Sequence, residues 1–138
     1  MASADELRTQ IDEGHAVLKA AFEGADASKW EQVPGSDEEW NARQMAEHVI
    51  GGELSIVSGV ANTMLGKPPE RPELALASPA DAVAALESAV EASNKVTRYV
   101  EDRDLPKPVG EKGRTIESTL ALLGSHATDH AGQISGAT

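Results

Sequence analysis

The sequence predicts an all-α protein, a four-helix bundle formed by residues 1–138 as a single domain. Four segments begin with a helix-capping residue and carry apolar side chains at helical spacing. Alanine is abundant, with 22 residues, whereas Phe, Trp and Tyr together number four. A core of small aliphatic side chains favours closely packed helices over a β-sandwich, and four helices of this length typically form a bundle.

The start of each helix is marked by a side chain that can cap it. The capping residues and their partners are Ser3 with Glu6, Asn41 with Gln44, Ser78 with Asp81, and Thr115. Such side chains accept hydrogen bonds from the first free backbone N–H groups of a helix. From these starts, and from the glycines and prolines that follow, the predicted helices span residues 4–24, 42–65, 79–103 and 116–134.

The connections between the helices predict part of the topology. The second helix is about 36 Å long at roughly 1.5 Å per residue. The proline-rich linker 66–78 can span about 40 Å at roughly 3.1 Å per residue, so it can return along the whole helix. We therefore expect the second and third helices to run parallel. The linker 25–39 is also long, and it carries Trp30, which we expect to pack over one end of the bundle.

Composition excludes several classes of function. The net charge is −11 and no basic stripe is present, which argues against nucleic acid or anionic lipid as a partner. The chain contains no cysteine, which excludes disulfides, thiolate metal sites and cysteine nucleophiles. It has no apolar run long enough to cross a membrane and no signal-peptide pattern at the N-terminus, so we expect a cytoplasmic protein.

His126 and His130 lie four residues apart in the last predicted helix, so their side chains share one face. The same face carries the apolar residues Ile116, Leu120, Leu123 and Ile134. A buried imidazole needs a partner, because an unpaired buried polar group costs about 1–3 kcal/mol. The pair is therefore either structural, with each ring bonded to a carbonyl or carboxylate, or part of a metal site. The zincin and ferritin-like motifs are both absent.

His48, early in the second predicted helix, would complete a site of three imidazoles from two helices. Such sites suit zinc, nickel or iron and leave positions open for water or substrate. The helical wheel places His48 on a strip of small residues, Gly52, Ser55 and Gly59, rather than within the apolar stripe. We interpret this strip as room for a ligand or for the close approach of another helix.

Two motifs in these helices resemble the DinB/YfiT-like superfamily of metal-dependent bundle proteins. They are Trp40-Asn41-x-x-Gln-x-x-Glu47-His48 and His126-Ala-Thr-Asp129-His130-Ala-Gly132-Gln133-Ile134. The resemblance implies a bundle of up-down-down-up order and a divalent metal, usually zinc or nickel, on His48, His126 and His130. Family members often carry Ser or Thr in place of Asn41, and many continue beyond the Gly-Gln-Ile segment. A shorter C-terminus implies a site that is more open or is closed by a partner chain.

Other polar residues near these motifs have competing interpretations. Glu53 lies on the apolar arc of the second helix, where it is a hydrogen-bond partner of a histidine, a catalytic base or a misplaced surface residue. Gln133 is one turn from His130 and either binds a metal-bound species or ends the helix at the surface. His15 lies on the apolar stripe of the first helix, and we interpret it as a core histidine rather than a ligand.

The resemblance implies chemistry with a low-molecular-weight thiol, such as mycothiol, bacillithiol or glutathione. The activity would be S-transfer or a thiol-dependent isomerisation of a small-molecule substrate, and the thiol would come from a cofactor because the chain has no cysteine. A metal-dependent hydrolase and a non-catalytic metal-binding stress-response protein are the alternatives, together with an acidic bundle whose histidines are structural. The small-residue strip is also compatible with a homodimer.

Overall fold

The structure is a computed structural model that describes residues 3–32, 40–66 and 73–138. Its helices are α1 (Ala4–Glu23), α2 (Ala42–Leu65), α3 (Pro79–Thr97) and α4 (Ile116–Ala137), with a two-stranded antiparallel ribbon of β1 (Pro108–Val109) and β2 (Arg114–Thr115). Short 3₁₀ turns lie at Ala27–Lys29 and Asp102–Asp104. The predicted all-α four-helix bundle is confirmed. Each described helix is either too short or too polar to span a lipid bilayer.

Two clusters of buried side chains define the directions of the helices. One cluster joins the C-terminal halves of α1 and α4, represented by Phe22 and Ile134, to the N-terminal halves of α2 and α3. The other joins the N-terminal halves of α1 and α4 to the C-terminal parts of α2 and α3, with Val60 and Val96 among its members. Helices α2 and α3 are therefore parallel to each other and antiparallel to α1 and α4. This is the up-down-down-up order.

The predicted helix starts are confirmed by hydrogen bonds at the caps. The side chain of Asn41 accepts from the N–H of Gln44 at 2.8 Å, and the Gln44 side chain accepts from the N–H of Asn41 at 2.9 Å. Thr115 and Ser118 form the same reciprocal pair at the start of α4, whereas Ser3 and Ser78 cap their helices only by accepting from the N–H groups of Glu6 and Asp81. At the end of α2, Gly66 adopts a left-handed conformation with φ of 71°, which only glycine adopts without strain. The second helix consequently has the predicted bounds, 42–65.

The third helix is shorter than predicted, because it ends at Thr97 rather than at residue 103. After Thr97 the chain turns inward and buries Val100 and Leu105 in the second cluster, which a continuing helix pointing out of the bundle could not do. The carboxylate of Asp104 holds this turn by accepting from the N–H of Glu101 at 2.9 Å. The ribbon that follows was not predicted, since strands of two residues give no periodic signal.

Trp30 packs over one end of the bundle, as expected from its place in the first linker. Its side chain is 1% exposed, and its Nε1–H donates to the carbonyl oxygen of Leu76 at 2.7 Å. Its ring meets that of Phe22 edge-on. Residues 33–39 and 67–72 of the two linkers lie outside the described residues, so the predicted path of the proline-rich linker is seen only in its last part.

Candidate metal centre

Three histidines from α2 and α4 converge at one point in the groove between these helices. One ring nitrogen each of His48, His126 and His130 lie within 4.8 Å of one another. The Nε2 atoms of His126 and His130 are 3.1 Å apart, and the ring centroids of His48 and His130 are separated by 4.8 Å. The convergence follows from the antiparallel packing of α2 on α4, which brings the second turn of α2 beside the middle of α4.

The three rings lie at the edge of the core rather than inside it. His126 and His130, expected on the buried face, are half-buried, and His48 is exposed. Ala127 and Ile134 of α4 take the fully buried positions next to them. The two histidines stand beside this apolar arc on the side facing α2, where the groove is open to solvent. A molecule from solution can therefore reach the three nitrogens.

Gly52 creates the space that the ring of His126 occupies. A Cβ atom at position 52 would lie only 2.8 Å from Cε1 of His126, which is shorter than side-chain contacts allow. At the other glycine of the small-residue strip, Gly59, a Cβ atom would meet Cγ1 of Val109 at 3.0 Å. The strip therefore lets other parts of the chain, His126 of α4 and Val109 of β1, approach α2 closely. Close approach was one of the two roles expected for it.

Gln133 orients the ring of His130. Its Oε1 atom lies 2.8 Å from Nδ1 of His130 and accepts a hydrogen bond from it. With the proton on Nδ1, the lone pair of Nε2 points toward His126. Gln133 was expected either to contact a metal-bound species or to lie at an exposed helix end; its side chain is exposed and lies on the Nδ1 side of the imidazole ring, away from Nε2. Such a hydrogen bond is the usual support of a metal-binding histidine.

The surroundings favour the neutral form of two of the rings. Partial desolvation, followed by the proximity of His130, lowers the pKa of His48 below its usual 6.5. Burial is also the main cause that lowers the pKa of His126, and His130 and His48 add to it. Glu53 and Asp129 oppose part of the shift in the pKa of His126. A neutral imidazole is the form that coordinates a metal ion.

The donor set fits a divalent transition-metal ion. Two imidazole nitrogens that bind one ion tetrahedrally at 2.0–2.1 Å are about 3.3 Å apart. The distance of 3.1 Å between Nε2 of His126 and Nε2 of His130 agrees with this value. Three nitrogen donors without a thiolate suit zinc or nickel, and they leave at least one coordination position for another ligand.

An aromatic ring covers one side of the centre. The indole of Trp40, which is 48% exposed, lies edge-on to the imidazole of His48, with ring centroids 4.8 Å apart. Trp40 directly precedes the capping residue of α2, so the cap fixes the backbone from which its side chain extends. Trp40 was not predicted to lie at the centre, although its position in the motif, eight residues before His48, was a signal.

Glu53 is a core residue with two hydrogen-bond partners. Its Oε1 lies 2.6 Å from Nε2 of His15, and its Oε2 accepts from the hydroxyl of Ser93 at 2.8 Å. Glu53 is 3% exposed and His15 is 6% exposed. Nδ1 of His15 is buried without a hydrogen-bond partner among the described residues. The geometry supports the interpretation of Glu53 as the partner of a histidine, and that histidine is His15 rather than one of the three at the centre.

Comparison with known proteins gives one result that covers nearly the whole chain. A family profile described as the DinB superfamily matches residues 10–134. This range includes all three histidines, both motifs, the whole of α2 and α3, and most of α1 and α4. No curated protein and no solved structure shows significant similarity to the chain.

Proposed function

The chain belongs to the DinB superfamily, and from this premise we propose that His48, His126 and His130 hold one divalent metal ion, zinc or nickel. The observation that carries the proposal is the convergence of one nitrogen from each of the three rings within 4.8 Å. Neutral imidazoles gain little from facing one another, whereas a metal ion would accept a lone pair from each of the three rings.

The proposed activity is a reaction of a low-molecular-weight thiol with a small electrophilic substrate, as an S-transferase or a thiol-dependent isomerase. A divalent ion held by neutral imidazoles lowers the pKa of a thiol that it binds, so that the thiolate forms near neutral pH. The chain has no cysteine, so the thiol comes from a cofactor such as mycothiol, bacillithiol or glutathione.

The protein's own residues have three roles in this proposal. The three imidazoles bind the ion, and Gln133 keeps the lone pair of His130 directed at it through the hydrogen bond of 2.8 Å. Gly52 leaves the space in which the ring of His126 stands. Both oxygens of Glu53 accept hydrogen bonds inside the core, so Glu53 is proposed as a structural residue and not as the catalytic base.

Metal-dependent hydrolysis is the second candidate, because the exposed side of the centre admits water as readily as a thiol. A non-catalytic metal-binding protein remains the third. The other expectations from the sequence also stay predictions: a small-molecule substrate, no binding of nucleic acid, a homodimer and a cytoplasmic location.

A cobalt-substituted protein separates these candidates. A thiol that binds cobalt as thiolate gives a charge-transfer band in the near ultraviolet. We expect the band when mycothiol, bacillithiol or glutathione is added to the cobalt-loaded wild type. His130→Ala should lack it, and His15→Ala should keep it because His15 lies outside the centre. The absence of a band with all three thiols would contradict thiol chemistry and leave hydrolysis or simple metal binding.

A further inference from the structure

A cavity lies in the groove between α2 and α4, separate from the three histidines. Its volume is about 430 Å³, and the β1–β2 ribbon forms its outer wall. The lining residues that matter here are Ser55, Gly59, Val109, Lys112, Arg114 and Thr119. Nothing in the proposed metal centre uses these residues, and the cavity is large enough for part of a small organic molecule.

The cavity and the centre share the same faces of the same two helices. Gly59 follows Gly52 by seven residues on α2, and Thr119 precedes His126 by seven residues on α4. Seven residues are nearly two full turns, so each pair lies on one face, separated by about 10.5 Å along the axis at 1.5 Å per residue. Ser55 contributes a hydroxyl between the two sites. One extended molecule can therefore reach both.

The ribbon brings positive charge to this cavity in an acidic protein. Lys112 and Arg114 form no ion pair within the described residues, whereas six of the other eight described Lys and Arg side chains do. Among the described residues that line the cavity, Glu111 is the one with an acidic side chain, so two cations face one anion there. Two unpaired cations on one wall of a cavity favour an anionic ligand, and Arg in particular suits a carboxylate.

The loop that presents these cations has a defined shape. Gly110 and Gly113 adopt left-handed conformations with φ of 68° and 76°, so the chain reverses tightly between β1 and β2. The ribbon is held against α2 by the hydroxyl of Thr63, which donates to the carbonyl oxygen of Pro108 at 3.0 Å. The charges of Lys112 and Arg114 are thus carried by a short turn that is anchored on α2, beside the cavity.

We propose that this cavity binds the carboxylate end of an extended small molecule whose other end reaches the three histidines. The inference rests on the proposed function and narrows it: the thiol is one whose carboxylate is remote from its sulfur, on the scale of the two helical turns, about 10.5 Å, that separate Gly52 from Gly59. An uncharged thiol would reach the centre without using Lys112 and Arg114.

Binding measurements on the cobalt-loaded protein test this inference. The probes are glutathione, which carries two carboxylates, and 2-mercaptoethanol, which carries none. We expect the double variant Lys112→Gln/Arg114→Gln to raise the Kd of glutathione about tenfold, the effect of losing charge-assisted hydrogen bonds. The Kd of 2-mercaptoethanol should stay within about twofold. Lys95→Gln is the matched control, because it removes an exposed charge on α3 that pairs with Glu91.

A second readout locates the ligand without reference to the metal. In nuclear magnetic resonance spectra of zinc-loaded protein, glutathione should shift the amide signals of Gly110 and Gly113 in the wild type but not in the double variant. Equal Kd values for glutathione in wild type and double variant, or unshifted amides, would overturn the inference. If the amides shift as expected but neither thiol gives the cobalt band, the anion site stands and the proposed thiol chemistry fails.

Discussion

Gly52 is the residue whose substitution tests the packing of the candidate centre most directly. A Cβ atom there would lie 2.8 Å from Cε1 of His126, so the imidazole has to move. We expect Gly52→Ala to raise the Kd for zinc about tenfold or more, as substitutions next to metal ligands do. The helix itself should tolerate the change, because Ala is a better helix former than Gly by about 1 kcal/mol. Competition with a chromogenic chelator measures the Kd.

Gly51→Ala is the matched control for this substitution. A Cβ atom at position 51 would lie 3.7 Å from Cδ1 of Leu74, which is an ordinary van der Waals contact. This variant should bind zinc like the wild type and gain the same helix propensity. Unchanged zinc affinity in Gly52→Ala would show that zinc binding does not depend on the present position of the His126 ring.

Gln133 offers a test of ring orientation. Replacing it with Leu removes the acceptor for Nδ1–H of His130. We expect the Kd for zinc to rise about tenfold, at the lower end of the range for such partners because this hydrogen bond is exposed. Gln133→Glu keeps an acceptor oxygen at the same reach and should retain the affinity. Equal losses in both variants would contradict an orienting role.

The residues of the centre were predictable to different degrees. The pair His126 and His130 follows from helical spacing alone. His48 was added as a third histidine on another helix and then supported by the resemblance, although the helical wheel placed it among small residues. Its place became clear only when Gly52 proved to face His126 across the groove. The half-buried state of the α4 histidines was not predicted. A helical wheel gives the direction of a side chain, but it does not give how far the neighbouring helix covers that side chain.

At the level of the elements, a buried polar group links three helices. His15 of α1, Glu53 of α2 and Ser93 of α3 form two hydrogen bonds in the core, of 2.6 and 2.8 Å. We expect His15→Ala to lower the free energy of unfolding by about 3 kcal/mol, because it leaves one oxygen of a buried carboxyl group without its partner. Urea denaturation of the metal-free protein measures this loss.

The same variant separates the core from the centre. His15→Ala should bind zinc with the stoichiometry of the wild type, since His15 contacts Glu53 and none of the three clustered rings. The double variant His15→Leu/Glu53→Leu should recover much of the lost stability, because apolar side chains replace both buried partners. A loss of zinc in His15→Ala would mean that the ligands are assigned wrongly.

Helix boundaries were predictable where a local signal exists. The second helix has a capping box at Asn41 and a left-handed Gly66, and its bounds match the prediction. The end of α3 does not match the prediction, because the burial of Val100 and Leu105 depends on contacts with other elements. Ser93 could not be identified as a partner of Glu53 from the sequence for the same reason: the two residues are 40 positions apart.

For the whole molecule, a metal that bridges α2 and α4 should stabilise the fold. A ligand that binds only the native state adds about 2.7 kcal/mol at a concentration of 100 times its Kd. We expect zinc to raise the Tm of the metal-free protein by several degrees, followed by circular dichroism. His48→Ala, which removes the only one of the three rings on α2, should show no increase. An equal increase in this variant would place the stabilising ion elsewhere.

The topology of the whole chain was the most predictable feature. The reach of the linker 66–78 allowed α2 and α3 to run parallel, and the two core clusters confirm that they do. The cavity under the β1–β2 ribbon was not predictable, because a ribbon of two-residue strands leaves no pattern in the sequence. Its cations, Lys112 and Arg114, belong to no motif in the sequence, and only the fold places both on one wall.

Metal content of the purified protein tests the central claim most directly. The protein is expressed without an affinity tag, in medium containing zinc and nickel, and analysed for elements. We predict about one divalent transition-metal ion per chain in the wild type, because the three converging rings form one site. His48→Ala and His126→Ala should each lose the ion. A wild-type protein that carries no metal and cannot be loaded with either ion would contradict the claim.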